Sequence, residues 1–264
     1  MQTRVLVVGV VATCATLAML AAQAPGKSLF KEDFEDGNRN GWYLTSGGSA
    51  SLADDSPGIG SGNALFMTVS GGSTQRRLVA NFNAVELLNV GDMISLRFDF
   101  RITGARDTNA DGGFRFGLFD SRGTLQTSDT GNGASSGNAS DDAGYFAMVS
   151  LGLRSRARLV EERGEDPHLL GGTDLKFHHT DDDFGGIDDA LKHAAVFTIR
   201  RTGSNAIGLE LMVDGKKTSS GEVSGDLRTR FDEIGFAGTN SSCNFVIDNI
   251  EVTSGVGGST QRRR

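Results

Sequence analysis

The fold class is decided by the stretch Met93-Ile-Ser-Leu-Arg-Phe-Asp-Phe-Arg-Ile102, in which apolar and polar side chains alternate. Successive side chains of a β-strand point to opposite faces, so this period of two predicts a strand with one apolar and one polar face. The apolar face carries Leu96, Phe98, Phe100 and Ile102, and the polar face carries Ser95, Arg97, Asp99 and Arg101. We expect the first face to enter a core and the second to meet solvent or a ligand.

Similar segments recur along the chain and are separated by turn residues. The 264 residues include 37 glycines and only 3 prolines, and Asn, Asp and Ser cluster with the glycines. This pattern predicts an all-β, antiparallel, two-sheet jelly-roll sandwich. The predicted strands are 64–69, 78–82, 93–102, 114–119, 145–151, 196–201, 207–213, 231–236 and 244–252. Asp214-Gly215 is a typical hairpin turn, and only the short segment 187–195 looks helical.

The two ends of the chain are expected to lie outside the sandwich. Arg4 precedes an uncharged, largely apolar run that ends in small residues, which is typical of a secretory signal peptide. We therefore expect residues 1–24 to be a signal peptide, cut after Ala24 or after Ala22, with an uncleaved anchor as the alternative. Residues 25–253 are expected to form a single domain and 254–264 a disordered tail. The mature protein would then be secreted, extracellular, periplasmic or at the cell surface, without membrane contact.

Charge and cysteine content exclude several classes of function. The formal net charge of −7 disfavours nucleic acid as a partner. Of the two cysteines, Cys14 lies in the expected signal peptide and leaves Cys243 as the single cysteine of the mature chain, so no internal disulfide is expected. The chain also has no nucleophile elbow, phosphate-binding loop or dinucleotide fingerprint, which excludes the common serine hydrolases and nucleotide-dependent enzymes.

Two segments near the ends carry a family resemblance. Residues 30–37 read Phe-Lys-Glu-Asp-Phe-Glu-Asp-Gly, and residues 245–252 read Phe-Val-Ile-Asp-Asn-Ile-Glu-Val. Together they resemble the edges of bacterial secreted carbohydrate-binding jelly rolls and of the concanavalin A-like lectin and glucanase superfamily. The resemblance implies that the first and last strands lie side by side and that Glu35 and Asp248 share a structural calcium ion. It also implies that glycans bind on the concave sheet or at its rim.

A second candidate calcium site is the segment Asp107-Thr-Asn109-Ala-Asp111-Gly112. Alternating oxygen side chains before a turn glycine open many calcium loops. Leu118 stands where the usual bidentate glutamate would be, so a calcium loop between strands and a simple Asx-rich turn both remain open. By contrast, the acidic run 181–183 after His178 and His179 is interpreted as a solvated loop, because adjacent histidines point apart in an extended chain.

Charged side chains on the predicted strands are the candidate ligand-binding residues. The predicted floor on the concave sheet comprises Arg97, Asp99, Arg101 and Arg115, with Asp142 and Tyr145 at a neighbouring strand mouth. Guanidinium groups bind carboxylates and sulfates well. If the protein is a polysaccharide lyase, Tyr145 and His178 are the candidate catalytic residues. The alternative is a solvated face whose charges pair across strands.

We therefore predict a protein that binds a polysaccharide or surface glycan and is stabilised by calcium. The first alternative is a polysaccharide-degrading enzyme, a lyase rather than a hydrolase, since the Glu-x-Asp-x-x-Glu segment of the glucanases is absent. The second alternative is a structural or adhesive surface protein. A single tryptophan offers little aromatic surface for stacking on sugar rings, which favours a polar or anionic glycan.

Overall fold

The computed structural model describes residues 26–45, 49–60, 62–68, 76–104, 113–130, 137–152, 156–238 and 243–256. The strands are β1 Lys27–Glu32, β2 Trp42–Leu44, β3 Ser49–Asp54, β4 Asn63–Thr68, β5 Arg76–Glu86, β6 Met93–Ile102, β7 Phe114–Asp120, β8 Ala143–Val149, β9 Ala157–Glu162, β10 Lys176–Asp181, β11 His193–Gly203, β12 Ala206–Val213, β13 Lys216–Ser224, β14 Arg230–Gly238 and β15 Phe245–Gly255. A short 3₁₀ segment, Gly137–Ser140, precedes β8. The predicted signal peptide lies outside the described residues.

The strands form two antiparallel sheets, as predicted. The eight-stranded sheet has the order β13-β12-β11-β6-β15-β4-β3, with β1 also paired to β15, and the seven-stranded sheet has the order β10-β9-β8-β7-β14-β5-β2. The first and last strands lie side by side, as the resemblance implied, because Phe30 pairs with Val252 and Glu32 with Ile250. Strand β15 continues to Gly255, two residues beyond the predicted end of the domain.

The core between the sheets is built largely from phenylalanines. The four predicted apolar residues of β6 are all fully buried, which confirms that face of the strand. The ring of Phe98 lies 4.8 Å from that of Phe116 and 4.9 Å from that of Phe236, both on the opposite sheet. Fully burying each such side chain contributes about 1.5–3 kcal/mol, so these contacts hold the two sheets together.

The outer face of the seven-stranded sheet is covered by its own chain. Residues 163–175, which we call the strap, connect β9 to β10 and cross this face. Leu169 and Leu170 of the strap are buried against a second apolar cluster that includes Phe119, Phe146 and Val160. The part of this face beneath the strap is therefore interior, and its side chains are hidden from solvent.

Local predictions for the β10–β13 region were partly right. The β12–β13 hairpin is confirmed, since Asp214 and Gly215 have φ of 51° and 72°. The helix predicted over 187–195 is wrong: Ile187 forms an isolated bridge with Leu151, and β11 begins at His193. The Asp189 side chain accepts a hydrogen bond from Leu191 N at 2.8 Å, and such local bonds compete with helix formation.

The described residues include no helix with the length and apolar character of a membrane span.

Candidate functional site

The polar residues of β6 lie on the outer face of the eight-stranded sheet, where most of their charges are paired. Asp99 accepts bonds from Lys192 Nζ at 2.7 Å and from Asn249 Nδ2 at 3.0 Å. Arg101 Nε donates to Asp55 at 2.6 Å, while Arg97 is exposed. This arrangement matches the alternative of a charge-paired surface.

Arg115 does not join these residues, which corrects the predicted floor. It lies on β7 of the other sheet and points outward beneath the strap, where its Nη1 donates to the Leu170 carbonyl at 2.6 Å. Arg77 donates in the same way to the Leu169 carbonyl. Burial, with the nearby charge of Arg77, lowers the pKa of Arg115 to about 10. Both guanidinium groups anchor the strap and are closed to an external ligand.

Tyr145 is also closed to an external ligand, although the sequence placed it at a strand mouth. Its side chain is fully buried between the sheets, and its hydroxyl accepts a hydrogen bond from Arg228 N at 2.9 Å. Burial raises the pKa of Tyr145 to about 12. A phenol in this setting is a core residue and not an available base.

His178 does lie near Tyr145, with 6.5 Å between the ring centroids, but it too is covered. Only 6% of its side chain is exposed, and Nε2 lies 2.9 Å from Glu161 Oε2. Burial acts to raise the pKa of Glu161, yet the bond from His178 and the positive charges around it hold that pKa below its usual value. The pair expected for a lyase is thus brought together inside the protein, where a polymer does not reach.

Asp142 is buried beside a residue that sequence reasoning missed. It lies immediately before β8 and is 1% exposed, and Glu233 on β14 is 0% exposed. The two carboxyl groups contact each other. Burial raises the pKa of Asp142 to about 7, and burial together with Asp142 raises the pKa of Glu233 well above its usual value.

The predicted calcium ligands differ in how well they fit a cation. Glu35 is exposed and its carboxylate lies against Gly62, whereas Asp248 is fully buried and accepts bonds from Asn249 N at 2.7 Å and Nδ2 at 3.2 Å. Both carboxylate oxygens of Asp248 already accept hydrogen bonds, which does not favour a calcium ion shared with Glu35. Asp107, Asn109 and Asp111 lie outside the described residues. Within the described part of the chain, no three acidic, histidine or cysteine side chains are grouped as metal ligands.

An open cleft lies at the end of the sandwich between the 181–189 segment and the β12–β13 hairpin. It has a volume of about 480 Å³. Its lining combines acidic, basic and apolar side chains, namely Asp181, Asp183, Asp188, Asp189, Asp214, His193, Lys216, Lys217, Thr218, Phe184, Ile187 and Val213. A depression of about 640 Å³ beside Trp42 is lined by Arg39 and Asp129, which already bind each other at 2.6 Å.

His193 fixes the two walls of the cleft. Its Nδ1 lies 2.8 Å from Asp214 Oδ2 on the hairpin, and its Nε2 lies 3.0 Å from Asp189 Oδ1 on the loop. The other carboxylate oxygen of Asp214 accepts Ala194 N at 3.0 Å. The sequence shows the acidic segment that ends at Asp189 and the Asp214-Gly215 turn, but no short-range pattern in it indicates that the two face each other across a cleft.

Comparisons with known proteins identify the fold. No family model and no curated protein matches the sequence. The conserved carbohydrate esterase of Shiga toxin-encoding bacteriophage phi24B is 16% identical, with a TM-score of 0.54, over 88% of this chain and all of that chain. The carbohydrate recognition domain of Emp47p is 18% identical, with a TM-score of 0.52, over 89% and 99% of the two chains.

A seed lectin of Lotus tetragonolobus matches at a similar level. It is 10% identical, with a TM-score of 0.51, over 87% of this chain and 98% of that chain. Identities this low establish the architecture and leave the activity open. The protein therefore has a lectin-like jelly-roll fold, in agreement with the resemblance at its two ends.

Proposed function

We propose that this protein binds a polysaccharide or surface glycan in the end cleft, without chemistry of its own. The observation that supports the proposal is the lining of the cleft, where carboxylates and lysines stand next to Phe184, Ile187 and Val213. Sugars present hydroxyl groups at their edges and apolar patches on their ring faces. A concave site with a few polar groups on an apolar wall matches both.

The fold supports the same proposal. Two of the similar structures are described as a carbohydrate recognition domain and a seed lectin, and a third as a carbohydrate esterase. The expected export of the mature chain would bring it into contact with extracellular polysaccharides. Calcium stabilisation belongs to this proposal as well, because a lectin-like sandwich without a disulfide would gain stability from a bound ion.

The charge of the cleft narrows the class of glycan. Five carboxylates face two lysines and His193, so the site repels polymers with many carboxylate or sulfate groups. Carboxylates accept hydrogen bonds from sugar hydroxyls and have no donor of their own. We therefore infer a neutral, hydroxyl-rich glycan, which differs from the anionic glycan that the sequence favoured.

The test is retention on immobilised neutral, uronate and sulfated polysaccharides, with reducing ends and unsaturated products followed in parallel. The informative variant is Asp183→Asn combined with Asp188→Asn, since both carboxylates are exposed and line the cleft. Losing two charge-assisted hydrogen bonds should lower the affinity about tenfold or more. Glu86→Gln is the matched control, because Glu86 is exposed on β5, away from the cleft.

Each outcome has a defined meaning. Retention on a neutral polysaccharide that the cleft variant loses and the control keeps would support the proposal. New reducing ends or unsaturated products would show an enzyme instead. Equal retention of the wild type, the cleft variant and the control would show that the glycan binds outside the cleft. No retention on any polymer would favour the structural or adhesive alternative.

A further inference from the structure

The buried carboxyl pair Asp142 and Glu233 takes no part in the proposed glycan site. Glu233 lies on the outer face of β14, opposite Phe119 of β7, and Phe119 lies opposite Gly144 of β8. Asp142 precedes Gly144 by two residues, so the pair connects the start of β8 with β14 across the intervening strand. Neither side chain is more than 1% exposed.

All four carboxyl oxygens of this pair lack a hydrogen-bond donor. The described part of the chain shows no ion pair to either side chain, and their polar contact is with each other. Burying an unpaired carboxylate costs several kcal/mol, and buried polar groups in native proteins nearly always have a partner. Two adjacent carboxyl groups without other donors therefore need a positive partner, which is either their own protons or a bound cation.

The surroundings make a positive partner more favourable still. Asp120, Asp141 and Asp232 add negative charge around Asp142. The nearby cation, Arg230, is already bound to Asp120 and Asp232. Asp232 is further satisfied by Ser121, whose N and Oγ donate at 2.8 Å and 3.0 Å. The donor groups of Arg230 and Ser121 thus bind Asp120 and Asp232, and they make no hydrogen bond to the buried pair.

We propose that Asp142 and Glu233 bind a divalent cation of the calcium class, which joins the start of β8 to β14. Protons neutralise the two carboxyl groups separately, whereas a single divalent ion balances both carboxylates at once and bonds to several of their four oxygens. Calcium prefers carboxylate oxygens and takes six to eight oxygen ligands. Two side chains supply only part of this shell, so main-chain carbonyls and water would supply the rest.

The site is distinct from the positions that the sequence favoured for calcium. It shares no residue with Glu35 and Asp248, and it does not include the 107–111 segment. It also lies at the start of β8 and on β14, whereas the residues of the end cleft lie on β10, β11, the hairpin and the 181–189 segment. Cation binding and glycan binding can therefore fail independently of each other.

The test uses the full chain, stripped with chelator and titrated with calcium chloride alone at neutral pH. We expect one site by calorimetry and a rise in Tm of about 3–5 °C at saturation, because a ligand that binds only the folded state stabilises it. Asp142→Asn and Glu233→Gln should each weaken calcium binding at least about tenfold. Asp248→Asn is the control and should keep the wild-type affinity.

Several results would overturn the proposal. No heat of binding and no change in Tm when calcium is added to the wild-type protein would show that protons are the partner of the pair. Calcium binding that survives both Asp142→Asn and Glu233→Gln but is lost in Asp248→Asn would place the ion at Asp248, on the eight-stranded sheet. Circular dichroism of each variant without calcium establishes that a loss of binding is not a loss of folding. None of these readouts depends on a glycan.

Discussion

Glu162 is a buried ionisable residue whose protonation is tied to the strap. It is 1% exposed on β9, and its Oε2 accepts a hydrogen bond from Gly171 N at 3.2 Å. Burial, followed by the adjacent Asp174, raises the pKa of Glu162 to about 10 from 4.5. In the folded protein this side chain therefore keeps its proton at neutral pH, while in the unfolded chain it would lose it.

This difference predicts how stability changes with pH. The pKa of Glu162 is higher in the folded protein than in the unfolded chain. Protonated Glu162 therefore contributes its full stabilisation below about pH 4.5, and this contribution declines as the pH rises toward 10. The glutamine in Glu162→Gln cannot ionise. We therefore expect the free energy of unfolding of the variant, measured relative to that of the wild type, to increase by about 1–3 kcal/mol from acidic to alkaline pH. Urea unfolding across this pH range measures the effect, and parallel curves for the two proteins would contradict it.

Residues on the seven-stranded sheet show the limit of sequence reasoning at this scale. Alternation identified the inner face of β6 because that strand has a buried side and a polar side. Every residue of β8 is buried, so its sequence has no alternation that would assign Tyr145 to the core. Arg115 and Asp142 were taken for surface residues because charge usually indicates exposure. The strap that buries Arg115 comes from a distant part of the chain.

At the level of elements, the β12–β13 hairpin is the one that shapes the end cleft. Gly215 has φ of 72°, a conformation that is costly for a residue with a Cβ, although a Cβ there would meet no other atom. The turn carries Asp214, which binds both His193 and the main chain at Ala194. The conformation of one glycine thus contributes to the position of a cleft carboxylate.

We expect Gly215→Ala to lower the free energy of unfolding by about 1 kcal/mol. The same change should weaken glycan binding modestly, since Asp214 and the hairpin wall would shift together. Gly215→Asn is the matched control, because asparagine tolerates this conformation better and should lose less stability. Chemical denaturation of the three proteins makes the comparison, and equal stability of all three would show that the turn relaxes without cost.

Elements that depend on distant contacts were the ones that the sequence did not reveal. The hairpin and the central strands were predicted correctly because their signals are local. The 187–195 segment was mistaken for a helix, since its interactions with Leu151 and Asp214 come from other parts of the chain. The strap is held by Arg77, 92 residues away from Leu169. No periodicity within a short window encodes a contact over that separation.

On the scale of the whole molecule, the two sheets share one core and are expected to unfold together. Trp42, the single tryptophan, is packed against Phe30 of the eight-stranded sheet at 5.7 Å and Phe236 of the seven-stranded sheet at 5.9 Å. Its fluorescence therefore reports on the contact between the sheets. Far-ultraviolet circular dichroism reports on the strands themselves, so the two signals test whether packing and secondary structure are lost in one step.

Phe98 is the residue whose removal should test this cooperativity most directly, because its ring contacts both Phe116 and Phe236 across the core. We expect Phe98→Ala to lower the free energy of unfolding by about 3–5 kcal/mol through the cavity that it leaves. Phe98→Leu should lose about 1–2 kcal/mol. In each variant the fluorescence and dichroism midpoints should move together in urea with an unchanged slope. If Trp42 fluorescence changed at a lower urea concentration than the dichroism, the sheets would separate before they unfold, and a single core would not describe the stability of this sandwich.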